Sequence, residues 1–93
     1  MSQLHSSTTQ RSRDVPDWGR IQTLYAFCRV RAIERIIKAG ANSVSQRRDL
    51  ATLEIMYAQA RKQDDVLTGC AVSYFRTQAF RDARHPDFLG EWI

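Results

Sequence analysis

DWGRIQTLYAFCRVRAIERIIKAG, residues 17–40, is the stretch whose reading decides the fold. Asp14 to Asp17 carry helix-start signals with Pro16 at an early position, and Gly40 is a C-terminal stop, so the segment predicts a helix from about Asp17 to Ala39. Projected at about 100° per residue, Trp18, Ile21, Tyr25, Cys28, Ala32 and Ile36 form one stripe, flanked by Leu24 on one side and Ile33 on the other. Phe27, Val30 and Ile37 fall well outside it. A helix that is apolar over more than half its circumference must be covered on two sides. A chain of 93 residues has little material for both, and a second copy is the simplest source of the missing cover.

Downstream, Gly40 to Ser45 is a short loop, and Ser43 with Gln46 three positions later matches a capping box opening a second helix. Leu50, Leu53, Tyr57 and Ala60 then recur as an inward face beside Met56, and this helix is expected to reach about Lys62. Gln63, Asp64 and Asp65 form a polar break, where an aspartate caps a third helix running to about Arg84. All three residues tolerate helix, so the alternative is one continuous rod. The third segment sets Val66, Gly69, Cys70, Ser73 and Thr77 on a face of mostly small residues suited to close helix approach. Leu67, Ala71, Tyr74 and Phe75 occupy the adjoining face. Glycine costs up to ~1 kcal/mol against alanine in a helix interior, so Gly69 is expected to have a packing reason.

Pro86 ends the third helix, because His85 before it disfavours helical geometry. The segment from Pro86 to Ile93 then presents Phe88, Leu89, Trp92 and Ile93, large apolar groups in a tail of the kind that usually frays. Such a tail must dock on its own core or on a partner. The expected architecture is all-α, a three-helix small domain with a short apolar C-terminal tail, forming a homodimer through the first helix.

Upstream the composition changes. Among residues 1–14 only Met1 and Leu4 are apolar, although the whole chain is 43% hydrophobic, so 1–14 is expected to be a disordered tail and 15–93 a single helical domain. His5 has no metal-ligand neighbours there, and no metal or other cofactor is expected. The sequence offers no apolar run long enough for a membrane span and no N-terminal secretion signal, which makes a cytoplasmic location the default. Cys28 and Cys70 are read as buried, reduced thiols in the first and third helices; a disulfide between them is the alternative in an oxidising compartment.

The charge balance of 14 basic to 10 acidic residues is a moderate bias that bears on association. Arg20, Arg31, Arg35 and Lys38 lie within about 60° of one another on the first helix. They form either a solvated face, with Glu34 and Lys38 an i,i+4 pair, or a surface for phosphate or carboxylate. Arg29 instead falls among Trp18, Tyr25, Ile33 and Ile36. It must stack on a ring, pair with a carboxylate such as Glu54 or one across a dimer, or lay its stem along the core and send its head to water. A helix-turn-helix reading sends Asp64 and Asp65 toward phosphates, which is repulsive.

No catalytic constellation is present: His85 is the one histidine of 15–93 and has no serine or cysteine beside it in sequence. In outline, a long arginine-bearing helix followed by two more, residues 18–84 are similar to the chorismate mutase type, a small intertwined dimer that binds a dicarboxylate through arginines. The detail differs. No residue stands for that family's catalytic glutamate or glutamine, and Arg47-Arg48-Asp49 only loosely echoes its second-helix charges.

The chain is therefore read as a non-enzymatic regulator acting by stoichiometric protein binding, for example an anti-activator or adaptor that masks an interface of a transcription regulator. Partner contact is expected at the outward residues Phe27, Val30 and Ile37, with Phe88 and Trp92 as anchors and Arg20, Arg31, Arg35 and Lys38 steering encounter. The alternative is a nucleic-acid-binding protein using the basic face, with Arg11 and Arg13 added.

Overall fold

The computed structural model describes residues 17–62 and 65–92. The expected disorder of 1–14, the boundary at residue 15, and the placement of Arg11, Arg13 and Ile93 lie outside these residues. Those described form helices α1 (Trp18–Ala39), α2 (Val44–Ala60) and α3 (Asp65–Phe80) with 3-10 turns at Gly40–Asn42 and Gly90–Trp92, and include no strand.

Local chemistry sets the ends of α1. Asp17 takes extended geometry, φ −65° and ψ 166°, and its carboxylate accepts from the Arg20 N–H at 3.0 Å. One of the unpaired donors of the first turn is thereby satisfied. At the other end Gly40 adopts φ 60°, a conformation that costs glycine little, and its N–H reaches the Ile36 carbonyl.

The capping box predicted for α2 does not form. Ser43 is buried and makes no side-chain cap bond, because the chain enters α2 directly from a 3-10 turn and leaves Ser43 at φ −103° and ψ 18° rather than extended. Helix α3 also stops four residues short of Arg84. Helical geometry gives way ahead of Pro86, and residues 79–85 close successive tight turns: Asp82 N–H to the Ala79 carbonyl at 2.8 Å, His85 N–H to the Asp82 carbonyl at 2.9 Å.

The buried residues of α1 are Ile21, Leu24, Phe27, Cys28, Arg31 and Ala32, so its core face is turned by about 60° from the predicted stripe, and Trp18 is left partly exposed. The reason lies in the charges, since Arg31 and Arg35 sit within this arc rather than marking the solvent side. The helix shares one buried cluster with Leu53 and Ala60 of α2 and with Ala71, Val72, Phe75 and Ala79 of α3. Tyr57 reaches up from α2 to stack on Tyr25, with centroids 3.9 Å apart, and on Trp18 at 5.3 Å.

In α3 the face led by Ala71 and Phe75 is the buried one. The small-residue face of Cys70, Ser73 and Thr77 points to solvent, and no atom lies within 4 Å of where a Cβ on Gly69 would stand. The expected packing reason for Gly69 is absent among the described residues, and Cys70 is exposed rather than buried. Both cysteines are free thiols. Where α2 and α3 meet, Asp49 and Arg81 approach to 3.6 Å and the Thr68 hydroxyl donates to the Ala60 carbonyl at 3.2 Å.

Candidate functional site

Three of the five residues expected to contact a partner come together, and they do so inside the molecule. Phe27 is 8% exposed and Trp92 5%. Their rings lie 5.0 Å apart, with Phe88 closing the cluster at 6.0 Å from Phe27 and 5.3 Å from Trp92. The tail after Pro86 thus folds back over α1 and uses its aromatics as core. Phe27 is not outward, and Phe88 and Trp92 are not projecting anchors: a projection of α1 alone places Phe27 off its core stripe because it leaves out the tail that covers it.

Beside this cluster two of the four supposed steering residues are turned inward. Arg31, 9% exposed, donates through one Nη to the His85 ring and through the other to Glu34 at 3.0 Å, with its guanidinium carbon 5.5 Å from the centre of the Phe27 ring. Arg35 donates to Asp82. These bonds tie the turns after α3 to the middle of α1 and pair both Nη groups of the buried Arg31, whose Nε has no partner among the described residues. Arg20 and Lys38 remain on the surface, Arg20 beside Asp17 at 3.7 Å. Arg29 pairs with Glu54 at 3.9 Å while both side chains stay about half exposed.

Below Arg35 the three helices meet around a polar junction lined by Cys28, Gln46, Asp49 and Arg81, which encloses about 10 Å³. That is the size of one water molecule, too small for the dicarboxylate that the chorismate mutase outline implies. The Cys28 thiol donates to the Phe75 carbonyl at 3.2 Å, and its pKa is pushed up to about 12, chiefly by burial, with Asp82 adding and Arg35 opposing. A thiol held so firmly protonated is a packing group rather than a nucleophile.

The remaining two expected contact residues are open. Val30 is 44% exposed and Ile37 74%, on the side of α1 away from the core. A second open apolar site went unnoticed in the sequence: Phe80, 59% exposed, stands at the rim of a depression of about 430 Å³ whose other walls are Ser73, Arg76, Thr77 and an edge of Trp92. Its only sequence signal was a phenylalanine on the small-residue face of α3. Among the described residues no group of three or more metal-ligating side chains gathers, and no helix is long and apolar enough to cross a membrane. No protein-family model, curated protein or solved structure matches the chain.

Proposed function

We propose that this protein acts by stoichiometric association with protein surfaces, pairing with its own copy through the outer side of α1 and covering an apolar surface of a larger protein as an anti-activator or adaptor does. The observation that carries the reading is the pair of open aliphatic residues Val30 and Ile37, set on α1 opposite the face that α2, α3 and the tail already cover. Open aliphatic residues on the uncovered side of a small domain support an association site there. The larger partner is assigned to the Phe80 depression, where Trp92 serves as a wall rather than as an inserted anchor. Competition for an interface needs no catalytic group, and the default cytoplasmic setting suits two free thiols.

The same reading takes α2 and α3 as a hairpin rather than a rod. The Asp49 to Arg81 and Thr68 to Ala60 approaches support it. The nucleic-acid alternative loses support, because Arg31 and Arg35 spend their charge on His85, Glu34 and Asp82, which leaves Arg20 and Lys38 of the original four for phosphates.

Copurification from the native cell tests the proposal. The wild-type chain should retain one protein at fixed stoichiometry and Phe80→Asp should lose it with an unchanged helical circular-dichroism signal; retention by both would remove the depression as the site. A polarisation assay at low salt that detects tight DNA or RNA binding would favour the alternative instead.

A further inference from the structure

The outer side of α1 carries a regular pattern. Gly19, Thr23, Ala26, Val30, Ile33 and Ile37 follow one another at spacings of 4, 3, 4, 3 and 4, the interval of a coiled-coil seam. They are centred about 160° round the helix from its buried arc, so the seam stands clear of the core. Within it only Ile33 is half-buried, and the other five are exposed. The Thr23 hydroxyl donates to the Gly19 carbonyl at 3.0 Å, which satisfies it within the helix and leaves a methyl group to pack.

The seam also tapers. Its first half is small, Gly19, Thr23 and Ala26, and its second half large, Val30, Ile33 and Ile37. Given the homodimer read above, we propose that two copies of this chain pair α1 against α1 in antiparallel register, with Ile37 of one over Gly19 of the other, Ile33 over Thr23, and Val30 over Ala26. Each layer then sets one large side chain against one small, and the helix separation stays even. Parallel pairing would stack Ile37 on Ile37 and Gly19 on Gly19, forcing the helices apart at one end and leaving a gap at the other, which close packing penalises.

Charge on one flank agrees with this register. On that flank it brings Arg20, 63% exposed, beside Glu34 of the second copy, twice by symmetry; Glu34, 58% exposed, keeps Oε2 on Arg31 and offers its other carboxylate oxygen. On the other flank Arg29 meets Arg29 of the second copy, each countered by its own Glu54 at 3.9 Å.

Light scattering and sedimentation of the full chain over a wide concentration range test the pairing. The wild type should approach twice the monomer mass. Val30→Lys with Ile37→Lys, both at exposed positions, should raise the dissociation constant at least tenfold with an unchanged helical signal. Arg20→Glu, which sets like charges against Glu34 of the second copy, should weaken the dimer, most at low salt. In a Cys70→Ser background under mild oxidation, Ile37→Cys mixed with Gly19→Cys should cross-link, whereas Ile37→Cys alone should not. A monomer at every concentration overturns both the dimer and its seam. A dimer that survives the two lysines keeps homodimerisation and overturns the seam, while self-cross-linking of Ile37→Cys, or a dimer that Arg20→Glu leaves unchanged, overturns the antiparallel register.

Discussion

Gly40 and Gly69 both have open space where a Cβ would stand, yet replacing them by alanine should move stability in opposite directions. At Gly40 the backbone sits at φ 60°, so alanine is strained and Gly40→Ala should cost on the order of 1 kcal/mol. Gly69 lies inside α3 with nothing pressed against it, and Gly69→Ala should raise stability by about 0.5–1 kcal/mol in a denaturant titration. The two cysteines divide as sharply. A thiol reagent should label Cys70 in the native protein and Cys28 only on unfolding. With its pKa near 12 in the fold and 9.0 in the open chain, Cys28 adds a stability that is fully present below pH 9 and is lost as the pH rises from there towards 12. Thermal melts across that interval should therefore fall faster for the wild type than for Cys28→Ala.

On the scale of elements, α1 decides most of the outcome, and substitutions around its circumference should separate core from surface. Phe27→Ala should cost about 3–5 kcal/mol, since it empties the centre of a cluster with Phe88 and Trp92, while Val30→Ala should cost the monomer well under 1 kcal/mol. Paired urea titrations check both. The existence and ends of α1 were legible in the sequence because Asp17 and Gly40 act on their own turn. Its rotation was not, because what permits Arg35 and Arg31 to face inward stands 47 and 54 residues downstream, at Asp82 and His85. The same distance problem divides the site: Val30 and Ile37 read correctly as outward from the helix alone, but Phe27 and Trp92 depend on a tail that turns back after Pro86. The capping box failed for a local reason that spacing does not record, the geometry of the preceding 3-10 turn.

On the scale of the whole molecule, α2, α3 and the tail each bury their apolar groups against α1, and the core they share is one cluster. Unfolding should accordingly be a single transition, with aromatic and backbone circular dichroism falling together on heating. Trypsin offers a second check at Arg61 and Lys62, both exposed after α2. A cut there breaks the covalent link between α2 and α3, a 16-residue helix marginal on its own in water, and leaves packing alone to hold it. No long-lived intermediate fragment should accumulate on a digestion gel. A molecule arranged around one common strut has no half that can survive as a spare: damage anywhere along that strut is felt everywhere.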